Sequence, residues 1–178
     1  MATPIKVPEI LENTYLRIAG VVQESIVDGP GVRYTIFTQG CPFRCEGCQN
    51  PQAQSLNGGM EVKLSVLYKE IKQNPLITGV TYSGGEPFIH TRPLIVLSKV
   101  LKEEGYNLWS YSGYTFDKLD GDFMRHELLE YLDVVVDGPY VQKLHTLDID
   151  FRGSSNQRII NVQETLKAGK VILMEGFK

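Results

Sequence analysis

Strand-like and helix-like segments alternate along this chain, and that order leaves few folds open to it. β-Branched and aromatic runs predict strands, and apolar residues spaced three and four apart predict helices. Predicted strands cover residues 15–23, 32–38, 77–82, 107–111 and 133–136, with weaker candidates at 158–162 and 170–174. Predicted helices cover 64–71, 91–105 and 123–131. Because parallel strands need a crossover long enough to hold a helix, the alternation predicts a parallel sheet of βα units.

The length of the chain decides between two forms of such a sheet. A closed barrel of eight βα units takes ~250 residues, whereas this chain has 178. We therefore expect an α/β fold in the form of an open, partial (βα) barrel with about five to six parallel strands. No repeat or Pro/Gly-rich linker divides the sequence, so residues 1–178 are predicted to form a single domain. Its core is expected at about 15–175, after a short N-terminal extension at 1–13.

Composition and charge exclude several classes of partner. The 18 basic and 21 acidic residues are mixed along the chain and give a formal net charge of -3, which predicts binding neither to nucleic acid nor to an anionic membrane. No apolar run approaches the ~20 residues of a membrane-spanning helix. Residues 1–13 lack the basic and apolar regions of a secretion signal, so we expect a cytoplasmic protein.

All three cysteines of the chain, Cys41, Cys45 and Cys48, lie within a span of eight residues directly after a predicted strand. Parallel α/β folds place their chemistry at the carboxyl ends of strands, which is where this loop falls. A secreted disulfide framework would use an even number of cysteines spread along the chain. A four-iron cubane normally takes four thiolates, so three cysteines predict a cluster with one iron left open for a substrate.

Other uses of these thiols remain open at this point. A structural zinc site would need a fourth ligand, and the three histidines, His90, His126 and His145, are distant in sequence, although folding could bring one near. A redox dithiol would use the last two cysteines and leave the first without a role. Unreactive buried thiols would not be expected to cluster.

The segment Cys41-Pro-Phe-Arg-Cys45-Glu-Gly-Cys48 resembles the cysteine signature of the radical S-adenosylmethionine enzymes. The resemblance implies two cofactors, a 4Fe-4S cluster held by these three cysteines and S-adenosylmethionine bound at the open iron. It also implies that an electron from the reduced cluster cleaves S-adenosylmethionine into methionine and a 5′-deoxyadenosyl radical, which abstracts a hydrogen atom. No catalytic side chain is expected beyond the cluster-bound S-adenosylmethionine.

A second motif, Ser83-Gly84-Gly85-Glu86-Pro87, follows the predicted strand at 77–82. Its two glycines let the backbone turn sharply and approach a ligand, and Glu86 adds a carboxylate beside that backbone. Taken alone, the motif is equally typical of an ordinary βα turn. By resemblance, Gly84, Gly85 and Glu86 match the Gly-Gly-Glu motif with which the superfamily binds the methionine amino group.

Residues beside the last cysteine and after two later strands complete the predicted site. Gly47 and Gln49 are expected, by resemblance, to meet the adenosine portion of S-adenosylmethionine through their backbone. The segments 111–114 and 137–139 end the next two predicted strands on the same rim, and Asp137 is a candidate for contact with the cofactor. Some related activating enzymes have an acidic residue where Ser112 falls, so the ribose contacts stay unassigned.

Three segments narrow the resemblance within the superfamily. Residues 28–33, Asp-Gly-Pro-Gly-Val-Arg, resemble the lead-in shared by enzymes that activate glycyl-radical proteins. Residues 111–114 and the run from Arg152 to Arg158 resemble the activating proteins of anaerobic ribonucleoside-triphosphate reductases. The resemblance implies two partners, the large subunit of such a reductase as the protein that receives a glycyl radical, and a flavodoxin-like electron donor. The run itself is a polar loop by composition and receives no chemical role.

Two alternatives stand beside this function. A small-molecule radical S-adenosylmethionine enzyme, such as a carboxy-deazaguanine synthase, shares the compact fold but would need extra elements to close a substrate pocket, and no segment is available to build them. A non-catalytic zinc-binding module is the other alternative. The activating function fits an open barrel, because the reactive carbon must reach a glycine backbone inside another protein.

Overall fold

The computed structural model describes residues 5–178, which contain one mixed sheet of seven strands in the order β3-β1-β2-β4-β5-β6-β7. The strands are β1 (Tyr15–Ser25), β2 (Arg33–Thr38), β3 (Met60–Lys63), β4 (Gly79–Gly84), β5 (Asn107–Tyr111), β6 (Val134–Asp137) and β7 (Arg158–Asn161). The helices are α1 (Glu9–Glu12), α2 (Leu64–Gln73), α3 (Thr91–Glu103), α4 (Phe116–Asp120), α5 (Phe123–Leu129) and α6 (Val162–Ala168). Across residues 5–178, no helix has the length and apolar character that crossing a membrane requires.

The predicted α/β class is confirmed, but the expected number of parallel strands is wrong. Within residues 5–178, only β2, β4, β5 and β6 run parallel to one another. β1 pairs antiparallel with β2 because residues 26–32 are too few for a parallel crossover. β3 then adds antiparallel to β1, and β7 returns antiparallel to β6. The sheet therefore has four parallel strands at its centre and antiparallel strands at both edges.

Differences from the predicted elements lie mostly where segments are short. The weak strand candidate at 170–174 is not a strand, since its pairing in the described chain is an isolated bridge between Leu173 and Ile160. Sequence periodicity did not predict β3, α4 or α6, which have four to seven residues and so offer too little pattern. The predicted extension at 1–13 contains α1, whose Leu11 is fully buried, and residues 1–4 lie outside the described residues.

Two apolar clusters hold the sheet, because successive strand residues point to opposite faces. The larger cluster joins Tyr34 and Ile36 of the sheet to residues of α2, α3 and α5. The smaller cluster lies on the other face, around Trp109 of β5. There the Trp109 ring packs edge-on against Phe151 and Phe177, with ring centroids 5.6 and 5.9 Å away. The second face is thus covered by chain segments that follow β6.

Arg33 begins β2, at the end of that strand opposite the cysteines, and is 1% exposed. Its guanidinium lies 5.4 Å from the centre of the Trp109 ring. It donates five hydrogen bonds to neutral acceptors, which are the side chains of Thr81 and Asn107 and the carbonyl oxygens of Pro30, Val80 and Asn107. Burial lowers the pKa of Arg33 to about 10. The lead-in motif at 28–33 therefore fastens the starts of β2, β4 and β5 together.

Replacing Arg33 with Gln should lower the free energy of unfolding by about 2–4 kcal/mol, because buried carbonyl groups lose their donor. Urea unfolding followed by circular dichroism measures this difference. Lys69→Gln is the control, since the ion pair of Lys69 with Glu12 is solvent-exposed and 3.7 Å long, and its loss should cost less than about 1 kcal/mol. Equal losses in the two variants would contradict a fastening role for Arg33.

Candidate functional site

A cavity of about 750 Å³ lies at the carboxyl ends of the parallel strands, and all three cysteines line it. Its other walls include residues 25–28 at the end of β1 and beyond it, residues 83–85 at the end of β4 and residues 111–112 at the end of β5. Much of the segment 138–157 between β6 and β7, here called the β6–β7 segment, also lines it. Small-molecule sites typically measure roughly 300–1,000 Å³. The cavity therefore has room for a ligand of nucleoside size beside the thiols.

The three thiols are free, and each is partly buried. Burial raises the pKa of Cys41 and of Cys45, and the nearby charges of Cys48 and Glu86 raise both further. Thiolates in this place therefore need a cation to offset the cost of ionisation. Within residues 5–178, no three His, Cys, Asp or Glu side chains converge closely enough to bind one metal ion. In a four-iron cubane each thiolate binds a different iron, so three separated thiols fit three of its irons and leave the fourth without a protein ligand.

Two close approaches fix the cysteine loop, residues 40–50, against the ends of β4 and β5. The amide of Glu86 donates to the carbonyl oxygen of Gly40 at 2.8 Å. A Cβ atom on Gly85 would stand 2.2 Å from that same oxygen, so no side chain fits there. The ring of Phe43 covers Gly113, where a Cβ would lie 2.5 Å from the ring. Glycine is required at both contacts, because a side chain at Gly85 would meet the loop backbone and a side chain at Gly113 would meet the Phe43 ring.

The carboxylate of Glu86 joins the ends of β4 and β5. The residue is 1% exposed, and its two oxygens accept hydrogen bonds from the amide of Phe88, the hydroxyl of Ser112 and the amide of Gly113, at 3.0, 3.0 and 2.8 Å. Burial raises the pKa of Glu86 to about 7, although the three donors favour the charged form. Glu86 therefore supports the cavity wall from behind, while the two preceding glycines line it.

Asp137, at the end of β6, is also turned away from the cavity. It is 1% exposed and accepts two hydrogen bonds from the guanidinium of Arg158, at 2.9 and 2.5 Å. A third bond comes from the amide of Phe116 at 2.7 Å. A bidentate pair of this kind fixes both partners in one orientation. This pair holds the two ends of the β6–β7 segment together, because Asp137 directly precedes the segment and Arg158 directly follows it.

The rest of the run at 152–158 packs onto the same strand end. The Gln157 side chain accepts from the amides of Gly153 and Ser154, at 2.9 and 3.2 Å, and donates to the carbonyl oxygen of Gly138 at 3.0 Å. Asn156 donates to the carbonyl oxygen of Pro139 at 2.8 Å. Sequence reasoning gave this run no role. Its amide and guanidinium groups hold the base of the β6–β7 segment together.

The structure divides the predicted site residues into two groups. Those that line the cavity are Cys41, Cys45, Cys48, Gln49, Gly84 and Gly85. Those that lie behind its wall are Gly47, Glu86 and Asp137. Gly47 backs onto the β6–β7 segment, where a Cβ would stand 2.7 Å from the side chain of Gln142. Of the three histidines, His145 lines the cavity, and its Nδ1 lies 2.9 Å from the carbonyl oxygen of Gly153.

The wall that sequence reasoning missed is the stretch from Tyr140 to Gly153. Its lining residues include His145, Leu147 and Arg152. They belong to an irregular segment with no hydrophobic period, so their position depends on the contacts at its base. The available signal was the polar run at 152–158, which a resemblance singled out but which composition alone does not distinguish from a solvated loop.

The chain is similar to a known protein family, to proteins from other organisms and to one solved structure. Residues 27–160 match a family profile described as "4Fe-4S single cluster domain". A protein named "Anaerobic ribonucleoside-triphosphate reductase-activating protein" from Pasteurella multocida is 34% identical over 143 residues, which cover 75% of this chain and 90% of the relative. The protein of the same name from Vibrio cholerae is 36% identical over 146 residues, with the same coverage. The crystal structure of QueE from Escherichia coli superposes with a TM-score of 0.46 at 18% identity, over 60% of this chain and 56% of that one.

The buried carboxyl of Glu86 predicts a pH-dependent loss of stability in the metal-free chain. Folding raises its pKa from 4.5 to about 7, so its stabilising contribution is full below pH 4.5 and is lost as the pH rises through about 7. Compared with Glu86→Gln, which cannot ionise, the wild-type chain should lose about 3 kcal/mol between pH 4.5 and about pH 8. Urea unfolding of both chains across this range measures the difference. A constant difference would mean that the three donors keep Glu86 ionised throughout.

Proposed function

Because the chain belongs to the anaerobic ribonucleoside-triphosphate reductase-activating proteins, we propose that it is a radical S-adenosylmethionine oxidoreductase that generates a glycyl radical on an anaerobic ribonucleotide reductase. One observation carries the proposal: a single cavity joins three free thiols on one loop to a wall of glycine backbone. Such a site suits a cluster with an open iron and a ligand that lies beside it.

In this proposal Cys41, Cys45 and Cys48 hold a 4Fe-4S cluster, and Gly84 and Gly85 border the methionine end of S-adenosylmethionine. When bound and reduced, the cluster supplies the electron that cleaves S-adenosylmethionine into methionine and a 5′-deoxyadenosyl radical, which takes a hydrogen atom from the Cα of a glycine. The glycines at 84 and 85 leave carbonyl oxygens accessible to the ammonium group of the ligand.

The remaining predicted residues have positioning and contact roles in the same proposal. Gln49 lines the cavity after the last cysteine and meets the adenosine portion. Gly47, Glu86 and Asp137 act on the cofactor through the walls that they hold in place. Glu86 positions residues 112 and 113, and Asp137 positions the β6–β7 segment through Arg158. The chemistry therefore depends on rigid walls more than on reactive side chains.

Exposed apolar side chains at the mouth of the cavity favour a protein substrate. Ile26 and Val27, between β1 and β2, line the cavity and are 72% and 71% exposed. Leu147, in the β6–β7 segment, lines it as well and is 90% exposed. Apolar residues grouped in this way mark interaction surfaces. This mouth favours the activase over the small-molecule alternative, whose substrate would be closed off from solvent.

We further propose that residues 1–178 act as one domain in a reducing, oxygen-poor cytoplasm. Assembly of the cluster needs deprotonated thiolates, and the pKa of two of these thiols is raised by burial. A flavodoxin-like protein is the proposed electron donor.

Anaerobic incubation of the protein with S-adenosylmethionine, a reductant and the reductase should give a glycyl doublet in the electron paramagnetic resonance spectrum of the reductase. Changing any of Cys41, Cys45 or Cys48 to Ala should abolish the doublet, 5′-deoxyadenosine formation and cluster retention, which is expected at about four iron and four sulfide per chain. Ser155→Ala is the control, because this exposed side chain lies outside the cavity. One zinc per chain without sulfide would refute the cluster.

Replacing Leu147 with Asp should weaken binding of the reductase by about tenfold or more, because a charge would then be buried at the centre of the contact. Isothermal titration under anaerobic conditions measures the affinity. Phe123→Asp is the matched control, since Phe123 is apolar and 82% exposed but does not line the cavity. If both changes have the same effect, the mouth of the cavity is not the docking surface.

A further inference from the structure

Arg152 places a cationic group in the cavity without an anionic partner. Among the cavity-lining residues of the described chain, it is the only Arg or Lys. Its guanidinium makes one hydrogen bond within residues 5–178, from Nη1 to the carbonyl oxygen of Gln157 at 3.3 Å. Its Nε is buried and has no partner there. Because buried N–H groups are nearly always hydrogen-bonded in folded proteins, this arrangement indicates a site for an acceptor that comes from outside the chain.

The other arginine of the same run provides a contrast. Arg158 stands six residues later and donates two bonds to the buried carboxylate of Asp137. Its charge is thus used to close the β6–β7 segment. Arg152 forms no ion pair with any carboxylate of the described chain. The run therefore contains one arginine that holds the fold and one that faces the cavity.

The two acidic residues that line the cavity in the described chain, Asp28 and Asp150, already accept hydrogen bonds from protein groups. Asp28 accepts hydrogen bonds from the hydroxyls of Ser25 and Thr35, at 2.5 and 3.1 Å. Asp150 accepts from the amide of Lys178 at 2.9 Å. Neither one neutralises Arg152. Among the residues that line the cavity in the described chain, a ligand meets one arginine without an ion-pair partner, in the β6–β7 segment, and three thiols in the cysteine loop.

We propose that Arg152 binds the α-carboxylate of S-adenosylmethionine, an inference that rests on the proposed function. The carboxylate is the only anionic group of that ligand, whereas its ammonium and sulfonium groups would be repelled by a guanidinium. A guanidinium presents parallel N–H donors that match the two oxygens of a carboxylate. Arg152 would in this way direct the methionine end of the ligand and select ligands that carry a carboxylate.

The test compares two ligands on the cluster-loaded protein under anaerobic conditions. Equilibrium dialysis gives the dissociation constants of S-adenosylmethionine and of decarboxylated S-adenosylmethionine for the wild type and for Arg152→Gln. The variant should bind S-adenosylmethionine about 10- to 100-fold more weakly. Its affinity for the decarboxylated ligand should change by less than about twofold, since the group that Arg152 contacts is missing. The affinity of Arg152→Lys for S-adenosylmethionine should lie between those of the wild type and Arg152→Gln, because lysine keeps the charge but lacks the planar guanidinium.

Arg92→Gln is the control for loss of a positive charge elsewhere on the protein, since Arg92 is exposed and does not line the cavity. It should leave the affinities for both ligands unchanged. Equal weakening of both ligands by Arg152→Gln would overturn the proposal and mean that Arg152 acts only on the carbonyl group of Gln157. Unchanged affinity for S-adenosylmethionine would overturn it as well. A wild-type, cluster-loaded protein that binds neither ligand would overturn the proposed function together with this inference.

Discussion

The site depends first on the buried carboxylate of Glu86. Through its two oxygens it fixes the backbone after β5 to the end of β4, and through its own amide it holds Gly40 at the start of the cysteine loop. Gly113, one of its donors, lies directly under the ring of Phe43 in that loop. Three strand ends are therefore joined at one residue, and the thiols stand on the loop that rests on this junction. A shorter side chain would not bring its oxygens to these three donors.

A second junction, between Asp137 and Arg158, governs the other half of the cavity. The β6–β7 segment is long and irregular, so the sheet by itself does not determine its path. The ion pair joins the two ends of the β6–β7 segment, and the Gln157 side chain donates a hydrogen bond to the carbonyl oxygen of Gly138. On the second face of the sheet, the ring of Phe151 packs against Trp109 and so fixes the inner part of the segment. Hydrogen bonds at the base of the β6–β7 segment and aromatic contacts in its inner part together hold this irregular segment in place as a wall of the cavity.

The sequence predicted elements that have a local residue pattern, but it did not predict contacts between residues that are distant along the chain. The strand at 107–111 was predicted to the residue, because a buried strand carries its own pattern. The cysteines were singled out by their spacing and Gly84 and Gly85 by a resemblance, and the structure places both groups in the cavity lining. The antiparallel edges depend on which strand finds which neighbour, and one strand of four residues leaves almost no signal. The inward turn of Glu86 and Asp137 was equally hidden, since a carboxylate after a strand can face a ligand or a backbone amide, and only the folded partners decide.

The buried groups around the cavity also determine which charges it can hold. Burial raises the pKa of Glu86 and of two thiols, so the walls disfavour added negative charge unless a cation compensates for it. Among the cavity-lining residues of the described chain, Arg152 of the β6–β7 segment is the one arginine or lysine. Ionisation of three thiols on one loop therefore requires a compensating positive charge. Under the proposed function, an anionic ligand group would bind toward the β6–β7 segment, whose position depends on the pair between Asp137 and Arg158.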